Sequence, residues 1–105
     1  MNTPLIINQT DVTHVLNPQD IICCLSAKGY CEVFTKNGER IVISKSLSKF
    51  AEELDVSFFK VSQSAIINRL HIQKIFKKQK EIMLSGDIKV SYSIKTQDLF
   101  ELLSN

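Results

Sequence analysis

The cysteines and histidines are the side chains of this sequence that could act as nucleophiles, bases or metal ligands. There are three cysteines, Cys23, Cys24 and Cys31, and two histidines, His14 and His71. Their spacing matches no common zinc motif, and no glycine-rich phosphate loop occurs. The cysteines lie in apolar, strand-like sequence, which disfavours a reactive thiolate. The sequence therefore predicts buried, reduced cysteines, no metal, no cofactor, no small-molecule substrate and no enzyme activity, although a cysteine–histidine pair formed in space stays an alternative.

Basic side chains are a second group with a possible function, because they bind phosphates. The formal net charge is only +2, but the charges are unevenly distributed. Residues 1–55 contain five basic and seven acidic residues, whereas residues 56–105 contain eight basic and four acidic ones. A one-sided basic surface is typical of proteins that bind nucleic acid. A solvated face with chance clustering gives the same counts, so the charge alone leaves both interpretations open.

Alternation of apolar and polar residues predicts that most of the chain forms β-strands. The segments with short apolar or alternating patterns are residues 5–8, 12–16, 21–25, 30–36, 40–44, 58–62, 65–67, 72–77, 81–84 and 88–92. Residues 21–25 are apolar on both faces, which indicates a central, covered strand. Asn37-Gly38 predicts a two-residue hairpin, because both residues tolerate positive φ. His14 is predicted on a strand surface.

Two segments have the periodicity of helices instead. The apolar residues of the first recur at i, i+3, i+4 and i+7 and are Leu47, Phe50, Ala51 and Leu54. Ser44 or Ser46 can cap its start. A second, C-terminal helix is predicted from Thr96. Turns are predicted at residues 17–20 and 68–71, where Asn68 holds the main chain and His71 bonds to it.

The length and the hydropathy pattern limit the architecture. The 105 residues fit one domain that covers residues 1–105, without a linker or an internal repeat. No apolar run approaches the roughly 18 residues that a membrane span needs, and the N-terminus lacks the features of a signal peptide. We therefore expect a single cytoplasmic domain, mainly β, that does not contact a membrane.

Four motifs, in the same order and at similar spacing, resemble those of the LytTR DNA-binding domain family of bacterial response regulators and transcription factors. The central motif is residues 58–72, and its matching residues are Val61, Ser64, Ile66, Ile67, Asn68, His71 and Ile72. The other three motifs are Asp20-Ile21-Ile22 with Lys28-Gly29-Tyr30, Lys45-Ser46-Leu47, and residues 90–95. The resemblance covers about residues 5–103.

The resemblance implies an elongated stack of short antiparallel sheets with one short amphipathic helix and a short C-terminal helix. It also implies that loops enter successive major grooves of DNA, where each base pair presents a distinct pattern of donors and acceptors. By position in the motifs, the loop residues implied to face DNA are Lys28 and Tyr30, then Gln63, then Lys95. The amide of Gln63 is suited to a bidentate contact with adenine.

Lys60 and Arg69 are predicted phosphate contacts, which position a protein on DNA without reading its sequence. Each DNA-facing residue has an alternative interpretation. Gln63 and Lys95 are also compatible with ordinary solvated positions, and Tyr30 with an aromatic residue of the core or of a sheet edge. The basic segment of residues 77–80 is predicted to be a solvated hairpin tip.

The chain departs from the family pattern at the predicted surface. Ser62-Gln63 stands where the family commonly has His-Arg, Ala65 where it has an aromatic residue, and Ser93-Ile94-Lys95 where it has Ser-Arg-Arg. Fewer basic groups weaken binding to DNA. The resemblance implies a sequence-specific transcriptional regulator of the two-component type, two copies of which can form a homodimer on a repeated double-stranded site. The alternative is a protein-interaction module of the same fold that has lost DNA affinity.

Overall fold

A computed structural model describes residues 3–104, which form short strands and two helices. The strands are β1 (Leu5–Asn8), β2 (Thr13–Leu16), β3 (Ile21–Ala27), β4 (Tyr30–Thr35), β5 (Arg40–Ile43), β6 (Phe58–Ser62), β7 (Ala65–Asn68), β8 (Ile72–Phe76), β9 (Glu81–Leu84) and β10 (Ile88–Ser91). The helices are α1 (Leu47–Ala51) and α2 (Thr96–Ser104). Each predicted strand is present, with bounds that differ by at most two residues. Neither helix has the length and apolar character that crossing a membrane requires.

The strands form three antiparallel sheets. β1 and β2 make a two-stranded sheet, and β10, β9 and β8 make a three-stranded one. Between them lies a five-stranded sheet in the order β5-β4-β3-β7-β6. The molecule measures 43 × 33 × 24 Å along its principal axes. This architecture confirms the expected fold, which is an elongated, mainly β stack of sheets with a short amphipathic helix and a C-terminal helix.

Strand β3 is the centre of the core, and both of its faces are covered. Ile21 and Cys24 pack with residues of β1 and α1, whereas Ile22 and Cys23 pack with residues of the three-stranded sheet and α2. A register shift between Ile21 and Cys23 explains why two neighbours share a face. The prediction of a central, covered strand is confirmed.

The three cysteines are structural core residues. Cys23, Cys24 and Cys31 are fully buried free thiols. Burial raises the pKa of the Cys23 thiol from 9.0 to about 12. Burial also raises the pKa values of Cys24 and Cys31. The thiolate is the form of cysteine that acts as a nucleophile or binds a metal, so these protonated thiols are unreactive in the folded protein.

The hairpin at Asn37-Gly38 is present, but the predicted two-residue turn is wrong. The N–H of Thr35 donates to the carbonyl of Glu39 (3.0 Å), and the N–H of Gly38 donates to the carbonyl of Thr35 (3.0 Å). Of the two residues, only Gly38 has a positive φ, at 86°. Three residues therefore connect the Thr35–Glu39 pair, which is the pattern of a type I turn followed by a left-handed glycine.

Side-chain caps fix the short helical segments. The hydroxyl of Ser46 accepts from the N–H of Lys49 (3.2 Å) and caps α1, so of the two candidate serines Ser46 is the cap. The helix ends at Ala51, yet Leu54 still packs against the core cluster that contains Leu47 and Phe50 of α1. Asn17 caps a single 3₁₀ turn over Pro18–Asp20 through its side-chain oxygen.

Candidate nucleic-acid interface

Three segments that are remote in sequence meet at one end of the five-stranded sheet. They are the β3–β4 turn, the β6–β7 turn and the connector between β10 and α2. The N–H of Ser26 donates to the carbonyl of Ser64 (2.9 Å), and the N–H of Ser93 donates to the carbonyl of Val61 (2.8 Å). These bonds tie the β3–β4 turn and the connector to the β6–β7 turn. We call this region, residues 26–30, 60–64 and 91–95, the loop end.

A groove of ≈ 260 Å³ opens at the loop end between the β3–β4 turn, the start of α1 and strand β6. Tyr30, Lys60 and Gln63 line it together with Gly29. Tyr30 is 37% exposed, so its ring forms part of the surface rather than the core. Lys28 is exposed beside Gly29, which has a left-handed backbone (φ 73°) and allows the tight turn.

A second groove, of ≈ 380 Å³, lies between the β6–β7 turn and strand β10. Apart from Lys89 and Tyr92, the polar residues that line this groove are serines. The serines that line it are Ser26, Ser62, Ser64, Ser91 and Ser93. These serines were not predicted as a group. Ser62 ends β6 and Ser64 lies in the turn that follows it, so the rule that residues i and i+2 of an extended chain share a face does not apply to this pair.

Some polar side chains of the loop end bond within the protein, as Ser62 does to Ser64 and Tyr92 to Thr96, but the longer basic and amide side chains do not do so among the described residues. Within residues 3–104, no ion pair and no side-chain hydrogen bond involves Lys28, Lys60, Gln63 or Lys95. The three ion pairs in this part of the chain lie elsewhere and are Lys36–Asp20, Arg40–Glu32 and Lys45–Glu53. No acidic residue is among the described residues that line the two grooves. The loop end thus offers free donors in a positive environment, which suits an anionic ligand.

Lys95 lies in the connector at the loop end and is exposed. The N–H groups of Ser93 and Ile94 both approach the carbonyl of Val61, at 2.8 and 3.3 Å. These bonds place the main chain just before Lys95 beside strand β6, one residue before the β6–β7 turn begins. The structure therefore places Lys95 directly after a connector that is bonded to strand β6, although Lys95 does not line the groove that contains Tyr30, Lys60 and Gln63.

Arg69 lies at the other end of strand β7. Its N–H donates to the carbonyl of Ser57 (2.9 Å), and its Nε is buried without a hydrogen-bond partner in the described part of the chain. At about 3.3 Å per residue, the length of β7 separates it from Gln63 by roughly 15 Å. Of the six predicted site residues, three line one groove, namely Tyr30, Lys60 and Gln63. Lys28 adjoins this groove through Gly29, Lys95 follows the connector that bonds to Val61, and Arg69 lies apart from all of them.

The neighbours of Arg69 have structural roles, as predicted for Asn68 and His71. The Oδ1 of Asn68 accepts from the N–H of Leu70 (2.9 Å), and its Nδ2 donates to the carbonyl of Ile21 (2.9 Å). The Nε2 of His71 donates to the carbonyl of Gln19 (2.7 Å), because a carbonyl can only accept. We call this region, residues 17–21 and 68–71, the cap end. His14, the other histidine, is half-buried in β2.

Comparison with known proteins identifies a family whose model matches the chain and a solved structure with the same fold. The model of the LytTr DNA-binding domain family matches residues 11–104. The solved structure of the LytTr DNA-binding domain of a Bacillus cereus protein, described as a methyl-accepting/DNA response regulator, superposes with a TM-score of 0.80. The alignment covers 98% of each chain at 18% sequence identity, which demonstrates a shared fold. No curated protein sequence matches the chain.

Proposed function

Because the chain belongs to the LytTr DNA-binding domain family, we propose that it is a sequence-specific transcriptional regulator that reads double-stranded DNA through the loop end. The family is one of DNA-binding domains and not of enzymes. The observation that carries the proposal is the meeting of three remote segments, whose free lysine and amide donors face solvent without an acidic neighbour in the two grooves.

Base reading is assigned to the residues at the tips of the three segments. Gln63, at the tip of the β6–β7 turn, has an amide that can donate to and accept from adenine in the major groove. Lys28 and Lys95 reach guanine or nearby phosphates from the flanking segments. Tyr30 supplies an exposed ring beside them. None of these side chains has to break a hydrogen bond or an ion pair within the described residues before it binds DNA.

Phosphate contacts are assigned to Lys60 and to the serines of the groove between the β6–β7 turn and strand β10. Hydroxyl groups and lysines are common phosphate ligands in protein–DNA complexes. Ser62, Ser64 and Ser93 lie between the three tips, where a sugar–phosphate backbone has to pass if the tips are to enter a groove. Arg69 is not part of this surface, and its phosphate contact stays a separate prediction.

The size of the molecule supports a repeated binding site. Its longest dimension is 43 Å, and one turn of B-DNA rises about 34 Å. One copy therefore covers little more than one turn, too short a site to be unique in a genome. Two copies on a repeated element, spaced by whole turns, double the sequence that is read.

A selection experiment tests the proposed function. The purified chain is mixed with a random-sequence duplex library at two salt concentrations, and bound DNA is sequenced. We expect a repeated motif to be enriched and affinity to fall as salt rises, because each contacted phosphate releases counterions. Failure to retain any DNA at roughly 50 mM salt, where even non-specific binding is measurable, would contradict the proposal.

A protein-interaction module that has lost DNA affinity is the second candidate. The observation that favours it is the scarcity of strong bases at the loop end, where the cations are Lys28, Lys60 and Lys95 without an arginine. Such a module would not be retained on heparin and would co-purify with a regulatory partner. The same selection distinguishes the two candidates, since only a DNA reader enriches a motif.

A further inference from the structure

Lys80 has a backbone conformation that is unusual for a residue with a side chain. It ends the β8–β9 turn with a φ of 55°. Of the four other described positions with a positive φ, three are glycines, Gly29, Gly38 and Gly86, and one is Asp87. Left-handed backbone at a lysine is unfavourable and persists where surrounding contacts hold it, often at functional sites.

The side chain of Lys80 crosses to the β10–α2 connector. Its Nζ donates to the carbonyl of Ile94 (2.7 Å) and lies 4.9 Å from the centroid of the Tyr92 ring. Its own carbonyl accepts from the N–H of Tyr92 (3.0 Å). The Tyr92 hydroxyl in turn bonds with the hydroxyl of Thr96 (2.8 Å), at the start of α2. Lys77 and Lys78, in the same turn, are exposed.

The connector is thus held from two sides. Lys80 binds the carbonyl side of Ile94, and the carbonyl of Val61 binds the N–H groups of Ser93 and Ile94. Val61 directly precedes the Ser62 end of β6, and Ile94 directly precedes Lys95. Lys80 belongs to the turn between two strands of the three-stranded sheet, whereas β6 and β7 belong to the five-stranded sheet. The position of Lys95 relative to the β6–β7 turn therefore depends on a contact made by the three-stranded sheet.

We propose that Lys80 is a positioning residue, which fixes Ser93 and Lys95 against the β6–β7 turn so that the loop end matches DNA. The inference rests on the proposed function. Lys80 itself does not contact DNA, because its ammonium group is engaged by Ile94 and Tyr92. A charge-assisted hydrogen bond is stronger than a neutral one, and the nearby ring adds a cation–π contact. Fixing the loop before binding removes part of the ordering cost that association otherwise has.

The first test compares two substitutions that remove the same charge from the same turn. Lys80→Met keeps the apolar stem and removes the contacts, whereas Lys78→Met removes a lysine that has none among the described residues. Two quantities are measured, namely amide hydrogen exchange at Ser93 and Ile94, and the ratio of affinities for the selected and a scrambled duplex. We expect Lys80→Met to speed the exchange and to lower the ratio about tenfold, and Lys78→Met to change neither.

A second variant separates positioning from stability. Lys80→Gly removes the same side-chain contacts as Lys80→Met but relieves the left-handed backbone, so its melting temperature should lie above that of Lys80→Met. The affinity ratio should nevertheless fall as far as in Lys80→Met. Equal losses of selectivity at different stabilities are not expected of a residue that only supports the fold.

Two different failures are distinguishable. If Lys80→Met and Lys78→Met retain the wild-type exchange rates and affinity ratio, the role of Lys80 is overturned while the proposed function stands. If the wild-type protein itself does not distinguish the two duplexes, the proposed function fails. The role of Lys80 in DNA binding then fails too, even if Lys80→Met speeds amide exchange at Ser93 and Ile94.

Discussion

The loop end and the cap end are the two ends of the same short strand, β7, and they use polar side chains in opposite ways. At the cap end, Asn68 is fully buried and bonds to two main-chain groups at 2.9 Å. At the loop end, Gln63 carries the same amide five residues earlier, yet it is exposed and has no hydrogen bond in residues 3–104. The same functional group, a side-chain amide, thus stabilises the fold at the cap end and is available to a ligand at the loop end.

This difference separates polar groups that hold the fold from those that are available to a ligand. Asn68 and His71 connect the turn after β7 to residues 19–21. Lys28, Gln63 and Lys95 make no such connection within the described residues. A surface whose lysine and glutamine donors are unbonded within the described residues, and whose grooves lack carboxylates there, is suited to an anion. The cap end supports the sheet from which the loop end projects.

The largest expected effect is the loss of stability in Asn68→Ala. The substitution leaves the Ile21 carbonyl and the Leu70 N–H without their partner and creates a small cavity. We expect the free energy of unfolding to fall by about 2–4 kcal/mol. Urea denaturation followed by circular dichroism measures it.

Gln63→Ala is the matched control, because it removes the same amide from the loop end. Its free energy of unfolding should stay within about 0.5 kcal/mol of wild type, as is usual for exposed positions. Equal destabilisation by the two substitutions would show that the two ends do not differ in the way described.

The second effect concerns DNA. Gln63→Ala and Lys95→Ala should each weaken binding to the selected duplex by roughly 1–3 kcal/mol, because each removes a contact that we propose with DNA. Fluorescence anisotropy with labelled duplex measures the affinities. Wild-type affinity in both variants would place the reading surface elsewhere on the molecule.

The third effect concerns pH and the core shared by both ends. The pKa of Cys23 is raised from 9.0 to about 12 in the folded protein. Its contribution to stability is therefore complete below about pH 9 and is lost as pH rises towards 12. The loss is about 1.4 kcal/mol per pH unit.

Urea denaturation at pH 8 and pH 10, in wild type and Cys23→Ala, measures this contribution. The variant should lose less stability between the two pH values than the wild-type protein does. An identical pH dependence would mean that the thiol is not shielded in the folded state. Because both ends depend on this core, we expect DNA binding at high pH to fall together with folding.

The smallest effect distinguishes two lysines at opposite ends of strand β4. Lys28, at the loop end, has no ion-pair partner among residues 3–104, whereas Lys36 pairs with Asp20 of the cap end at 3.1 Å. Both substitutions to alanine remove one positive charge. We expect Lys28→Ala to reduce the slope of log affinity against log salt by about 0.9, as one lost phosphate contact would. Lys36→Ala should leave the slope unchanged, and equal slopes would argue for a diffuse charge effect.

Much of the fold was predictable from local pattern. Period-two alternation identified the strands, and the serines before an apolar helical stripe limited the cap of α1 to Ser44 or Ser46. Asn68 was correctly predicted to hold its turn, since asparagine often bonds the main chain two residues on. The length of the turn at Asn37-Gly38 was not correctly predicted, because hairpin loops of two and of three residues both favour glycine.

The site was predictable only in part. The resemblance pointed to Lys28, Gln63 and Lys95 one segment at a time, but their meeting at one end depends on strand order, which local pattern does not specify. The separation of Arg69 has the same origin, because it follows from the direction of β7. The contact from Lys80 to Ile94 joins residues on different elements, and a lysine in a basic turn gives no sign that it is half-buried.

A titration followed by two-dimensional ¹H–¹⁵N NMR tests the difference between the two ends most directly. The labelled protein is titrated with the selected duplex, and the shift of every backbone amide is recorded. The account predicts that the largest changes occur in residues 28–30, 60–64 and 93–95, while Asn68, Leu70 and His71 change little. Large changes at the cap end, with the loop end unaffected, would contradict it.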